Sequence, residues 1–495
     1  MKIQTFIKKY RYAFIALLVV VLAVAAYSYY RSHSNNLLDT EAFKDIRTAI
    51  NDIEESEAGG FSDAEELSSF ITDWADSHSV NYVVDKSGNI IFDMPAAKRK
   101  KKVTPTVIAV SMNHETAVNN ASLYAAALSV ALTDVESGRK TVIFFNDEQN
   151  LAKGYKKISK KYISDRSKII YMDQGSSFYL STSSFREVIS RAIIPAEREE
   201  STLDTAIRVK IGGIKSGEIG TAINKQPDPI SAVSALLTRL KSKSAICRLA
   251  DIKVTSNGNM YPTDVEATFT MNSYAVGSFT AYMDKRIKAW EKAYGDSHEG
   301  IEYTYEVLDD PNDLPKTVYT SKTTDALTSV LYTAKTGTYR YSEGDPIPAD
   351  KKEGDIFGIN CATDLKADDD TITIRFLTQG YDEMYTDRIL TDNRAAAELY
   401  GCKYKINKTI NEFINNRDSL SRVFSQTYKK VNSKITPKSS LETMSDNFFT
   451  PCSYLASKNE EADIIHIRIN SSNAANLANT VLCYIKAKGN TSIFG

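Results

Sequence analysis

Three apolar runs that each end abruptly in polar residues constrain this chain's fold more than any other feature. They are "TVIAVSM" running into Asn113-His114-Glu115, "TVIFFN" into Asp147-Glu148-Gln149, and "KIIYM" into Asp173-Gln174-Gly175. Runs of this length, rich in β-branched and aromatic residues, read as fully buried strands. The first is followed by the Ala-rich helical text "ASLYAAALSVAL". Strands alternating with helices predict an α/β fold, a mostly parallel sheet with helices on both faces. In such sheets ligands gather at the carboxyl ends of the strands, where these three polar clusters lie.

The chain's start carries a second constraint. Apolar residues run almost unbroken from Tyr12 to Tyr30, behind Lys2, Lys8, Lys9 and Arg11. That is close to the ~20 residues a helix needs to cross hydrocarbon. Tyr10, Tyr12, Tyr27, Tyr29 and Tyr30 would form the interfacial belts. The expectation is a cytoplasmic N-terminus (1–11), a single transmembrane anchor (12–30) and an extracytoplasmic body at the cell membrane. A retained anchor is preferred to a cleaved signal peptide, for which Ala23-Val24-Ala25 would offer the cleavage site.

Within the body, "NYVVDKSGNIIF" reads as a hairpin. Near Leu203 the pattern changes. Strand, helix, strand order then appears twice, through "TAIRVKIGGIKSGEIG", "DPISAVSALLTRLKS" and "DVEATFTMNSY", and again through "DIFGINCATDLKADDDTITIRFLTQ" and its followers. This predicts one inserted α+β domain with an extended antiparallel sheet over 204–410. It would divide the first domain into 39–203 and 411–490, with "DIIHIRINSSNAANLANTVLCYIKA" rejoining the first sheet.

Charge excludes one class of partner. Basic and acidic residues number 61 and 62, and the single basic block, Lys98 to Lys102, sits between predicted strands. A nucleic-acid partner would need a clustered basic surface, so none is expected. The five scattered cysteines form no Cys-x-x-Cys and read as buried thiols.

The order of these strings resembles the aminoacyl-histidine dipeptidase branch of the di-zinc exopeptidases and deacylases. "VVDKSGNIIF" is similar to the family's Asp-x-x-Gly-Asn hairpin. "VIAVSMNHETAV" stands where the family has a strand running into Gly-His-x-Asp-x-Val, and "TVIFFNDEQNLAKG" where it has a strand into Glu-Glu. "IIYMDQG" resembles its strand into a metal-binding Asp, and "IRVKIGGIKSGEIG" its lid motif Gly-Gly-His-Ser-Gly-Gly-Glu-Ile. The resemblance covers nearly everything after the anchor. It implies a zinc exopeptidase-like sheet with a lid/dimerisation domain, and hydrolysis of small peptides by a zinc pair that activates water.

The carry-over is uneven. The family's His-x-Asp positions hold Asn113 and Glu115, and His114 between them should face away. The bridging Asp corresponds to Asn119 or Asn120. A neutral amide is a weak zinc donor and cannot offset two dications. The Glu-Glu pair falls on Asp147-Glu148 or on Glu148-Gln149. In the second register Glu148 is the general base and Gln149 replaces a ligand; in the first, Asp147 is the base and Glu148 the ligand. Asp173 matches the next metal ligand and His466 the last, while the lid histidine is replaced by Lys215 and Arg375 matches a lid-strand arginine. Lys215 and Arg375 are therefore the substrate-binding candidates, with solvated-turn and structural roles as their plainer readings.

Two functional readings follow. The preferred one is a membrane-anchored homologue with an eroded metal site, acting as a binding or scaffold module. The alternative is an active metallo-dipeptidase or deacylase with an altered, single-metal site that brings Glu115, Glu148, Asp173 and His466 together. Zinc is the cofactor the resemblance implies, and the amides count against its binding. A small peptide or amino-acid-like ligand and a homodimer through the lid are the expected partners.

Overall fold

The computed structural model describes residues 20–23, 44–45, 48, 60–94, 105–117, 119–134, 139–147, 153–175, 178–214, 226–242, 247–256, 261–298, 300–347, 351–381, 383–415, 417, 419–432, 442–444 and 450–491. Two compact units emerge. The first comprises 1–182, 415–444 and 454–495, and the second 183–414 and 445–453.

The first unit is built on an eight-stranded sheet. Its middle four strands run parallel, in the order Lys140–Asn146, Thr106–Met112, Lys168–Gln174, Asp463–Ile469. These are the three buried runs of the sequence and the strand that returns near the C-terminus. The hairpin strands Val83–Val84 and Ile90–Met94 extend one edge antiparallel. Tyr179–Ser181 and Glu442–Met444 extend the other.

Alternation decides which residues face which way. Ile108, Val110, Met112, Ile170, Met172, Ile465 and Ile467 point to one face. There they share a core with the helices Ala64–Ser77, Ala121–Leu132, Ser419–Asn432 and Ala474–Thr491. These long helices thus gather on one side. The opposite side carries the short helix Lys153–Lys157, whose Tyr155 stacks on Phe145 with ring centroids 4.1 Å apart. Helices thus lie on both faces, with the long ones on one side.

The second unit is α+β, with its antiparallel strands in two main sheets. One has four strands, ordered Cys247–Thr255, Asp264–Met271, Thr205–Gly212, Glu302–Leu308. The other has five, ordered Gly337–Arg340, Ile356–Ala367, Thr371–Gly380, Arg186–Pro195, Lys403–Ile410. The single extended sheet expected from sequence is thus divided. A register shift between Leu249 and Asp251 bends the edge strand Cys247–Thr255, and a bulge on an edge is a device that ends further pairing. Ile230, Val233, Leu236 and Leu237 are buried in this unit's core.

No described helix is long and apolar enough to cross a membrane. The expected anchor lies outside the described residues apart from 20–23, which are helical and exposed. The basic block Lys98 to Lys102 also lies outside them.

Candidate functional site

The polar face of the parallel sheet collects the sequence candidates. In the pairing register Arg468 sits opposite Asp173, His466 opposite Tyr171, and Ser111 opposite Phe145. Residues paired this way, and those two further along each strand, share a face. Ser111, Tyr171, Asp173, His466 and Arg468 are therefore neighbours by construction.

Asp173 is the centre of charge. Its Oδ2 accepts a hydrogen bond from Arg468 Nη2 at 3.1 Å, with His466 Nε2 3.5 Å from the same oxygen. Its Oδ1 takes the Gln174 backbone N–H at 2.9 Å. Burial works against ionisation of Asp173. The His466 hydrogen bond and the Arg468 charge outweigh it and hold the carboxyl below the usual carboxylate range. Gly175 makes room for this arrangement, because a Cβ there would lie 2.4 Å from Arg468 Cδ.

Beside it lies a hydroxyl cluster. Ser111 Oγ is 2.6 Å from Tyr155 Oη, 3.4 Å from Tyr171 Oη and 3.4 Å from Asp147 Oδ2. Tyr171 also leans on the His466 ring, centroid to centroid 5.1 Å. Replacing Tyr155 by Phe keeps the stack on Phe145 and deletes the 2.6 Å hydroxyl contact. It is expected to lower the unfolding free energy by about 1 kcal/mol, read from urea titration. A change below the error of that measurement would show the contact to be energetically neutral.

The remaining candidates disperse. Asn113 is buried; its Nδ2 donates to the Asp147 carbonyl at 3.4 Å, and its backbone N–H to Tyr124 Oη at 3.4 Å. That amide is used in joining strand ends. His114, Glu115 and Thr116 form a 3-10 turn, so they leave the strand register on which the His-x-Asp expectation rested. Asn119 is exposed, and Asn120 bonds Thr116 Oγ1 at 3.2 Å and caps the helix Ala121–Leu132 by position. Both lie at the entry of that helix. Glu148, Gln149 and Lys215 lie outside the described residues. Arg375 belongs to the second unit. Burial lowers its pKa, as does Arg191 opposite it in the sheet, while Asp364 and Glu187 act the other way.

Among the described residues the donor set for zinc is sparse. No group of three or more His, Cys, Asp or Glu side chains is placed to hold a metal among the described residues. Asp173, the best-matched ligand, already faces a guanidinium, and a dication beside it would meet that positive charge directly. The partly exposed Asp173, Ser111 and Asp147 can instead exchange hydrogen bonds with a polar ligand. Sequence reasoning had not singled out Ser111, Tyr155, Tyr171 or Arg468. The available signal for Arg468 was its spacing, two residues after His466 on one strand face.

No protein-family model matches the chain, and no curated protein matches it. Solved structures do. The aminoacylhistidine dipeptidase of Vibrio alginolyticus matches with a TM-score of 0.58 at 13% identity, over 91% of this chain and 97% of that one. The aminopeptidase PepT of Bacillus cereus matches at a TM-score of 0.47 and 8% identity, over 91% and 99% of the two chains. A tripeptidase of Staphylococcus aureus matches at 0.46 and 8%, over 92% and 100%. At the first of these levels the likeness establishes the fold: the chain has the mixed α/β fold of the dipeptidase.

Proposed function

We propose that this chain is a membrane-anchored, extracytoplasmic binding module built on a dipeptidase fold, with a charge-paired cluster in place of a metal pair. The observation that carries the reading is the Arg468 guanidinium 3.1 Å from Asp173 Oδ2. A zinc site needs anionic or imidazole donors with an open position. Here the matched carboxylate has a protein cation, and the amides Asn113 and Asn119 stand at two further matched positions. The Tyr12–Tyr30 run supports the anchor, and the positive charge before it supports the orientation. The ligand expected is a small peptide or amino-acid-like molecule, after the named activity of the Vibrio alginolyticus neighbour. The partly exposed Ser111 hydroxyl and Asp173 carboxylate suit its polar groups.

The test is zinc content by mass spectrometry of the full chain in detergent, after equilibration with zinc and dialysis, together with hydrolysis of a dipeptide panel. Substoichiometric zinc and no turnover are expected. Two retained zinc ions, with turnover abolished by Glu148→Ala, would overturn the reading in favour of an altered-site metallohydrolase.

A further inference from the structure

The five-stranded sheet of the second unit has two unlike faces. Ala192, Ile194, Ile372, Ile374 and Phe376 point to one and share the unit's core. By alternation Arg191 and Ile193 point to the other. Pairing sets Lys405 opposite Arg191, and Arg191 opposite Arg375, with Asp364 beyond. The next row reads Lys403, Ile193, Thr373, Lys366. Three cations from adjacent strands thus share one row, with the strands about 5 Å apart.

Like charges directly opposite one another cost stability. Arg375 registers that cost: burial lowers its pKa and so does the Arg191 charge, while Asp364 and Glu187 act the other way. Protection of a sheet edge explains part of the row. Lys403–Ile410 is an edge strand with a register shift between Ile406 and Lys408, and lysines and bulges both keep a further strand from adding. Arg191 lies one strand in, between Lys403–Ile410 and Thr371–Gly380, where its charge guards no edge.

The positive surplus survives a strict count. Burial raises the Glu187 pKa, and a hydrogen bond from Gln379 and the charges of Lys408 and Arg375 oppose it. Lys408 and Arg375 are accordingly set against Glu187 and Asp364, and Lys366 against the acidic turn 368–370 that follows it. Arg191, Lys403 and Lys405 remain. All three are exposed, and among the described residues none of them is held in an ion pair. The floor between Lys403 and Lys366 is Ile193 and Thr373, both partly exposed.

We infer that this face docks a polymer carrying phosphates along its backbone, laid over Arg191, Lys403 and Lys405. Anions above the row turn a mutual repulsion into a shared attraction. Two of the three surplus cations are lysines, which take a phosphate as point charges, whereas planar carboxylates favour guanidinium forks. Ile193 and Thr373 are not the aromatic platform on which bases would stack, so the charges of the polymer, not bases, are what this face recognises. The site lies apart from the ligand cluster at Asp173, and its test does not depend on that reading.

The test is isothermal titration of the full chain, in non-ionic detergent, with medium-chain sodium polyphosphate over a series of sodium chloride concentrations. Saturable binding is expected, with log affinity falling against log salt at a slope of about −2 to −3 for three neutralised phosphates. Arg191→Gln with Lys405→Gln should weaken binding by at least about tenfold. The same variant should unfold at an equal or higher urea concentration, because the repulsive row is relieved. Lys403→Gln alone should weaken binding severalfold, and it keeps the comparison valid if the double variant unfolds. Lys160→Gln with Lys161→Gln, exposed lysines of the first unit, should leave binding unchanged. No saturable binding, unchanged binding in the folded row variants, or an equal loss in the Lys160 and Lys161 control would sink the inference. Poly-L-glutamate of matched charge binding as tightly as polyphosphate would overturn the assignment to phosphate.

Discussion

Asp463→Ala is expected to lower the unfolding free energy by about 3–5 kcal/mol at pH 7. The carboxylate is 1% exposed and satisfies four donors at once. Its Oδ2 accepts from Lys168 Nζ at 2.7 Å, Ser419 Oγ at 2.5 Å and the Leu420 backbone N–H at 3.0 Å; its Oδ1 accepts from Asn415 Nδ2 at 2.9 Å. Through these bonds one strand residue ties the segment returning at Asn415 to the sheet and caps the helix Ser419–Asn432 from outside. Alanine leaves the Lys168 ammonium unpaired and the first helical turn with an orphan donor.

The pH dependence follows from the same contacts. Burial opposes ionisation of Asp463, but the hydrogen bonds from Lys168, Ser419 and Asn415 outweigh it and lower the pKa. A group lowered on folding contributes stability above its unfolded value, about 3.9, and loses it as pH falls through the folded value. The gap between wild type and variant should therefore be full at pH 7 and shrink below about pH 4. Urea titrations at pH 7 and pH 3 measure it. A gap under about 1 kcal/mol at pH 7 would rank the network with ordinary surface pairs.

The parts of the fold that were legible in sequence are those set by local pattern. Ile108, Val110, Ile170 and Met172 come from runs too apolar for any exposed strand, so both the strands and their burial could be read. The strand Arg186–Pro195 escaped because its signal is only alternation. Val188, Ser190, Ala192 and Ile194 are buried and interleaved with charged Glu187 and Arg191, of which Glu187 is buried as well. That blurs the contrast on which a period-two reading depends. The division of the second unit into two sheets escaped for another reason: a bulge at Leu249–Asp251 is one residue of backbone geometry, not a composition.

At the site, matching by residue type found Asp173 and His466, because a carboxylate or imidazole at a strand exit stands out. It missed Arg468, whose importance is a pairing between strands 295 positions apart. Asn113 and Asn120 were found as substitutions, yet their bonds to the Asp147 carbonyl and Thr116 show local structural uses that sequence did not indicate.

Arg468→Met tests that missed residue and the functional reading together. Methionine keeps the length of the stem that lies over Gly175, so the change chiefly removes charge. Asp173 would retain the His466 contact at 3.5 Å and lose its guanidinium. At pH 7 the expected cost is about 2–3 kcal/mol, below that of a fully buried pair because the Asp173 side chain is 27% exposed. The sign is the same as for Asp463. Asp173 is lowered in the folded state, so the Arg468 contribution is present above the unfolded carboxyl value and fades as pH drops through the folded one. An equal loss at pH 7 and pH 3 would mean that Arg468 acts by packing, for instance over the Tyr179 ring 5.9 Å away. The same variant separates two accounts of the metal. If the guanidinium alone keeps zinc out, Arg468→Met should take up zinc through Asp173 and His466. If amides in place of ligands are also decisive, zinc stays substoichiometric. The second result is expected, because among the described residues Asp173 and His466 supply only half of a tetrahedral set.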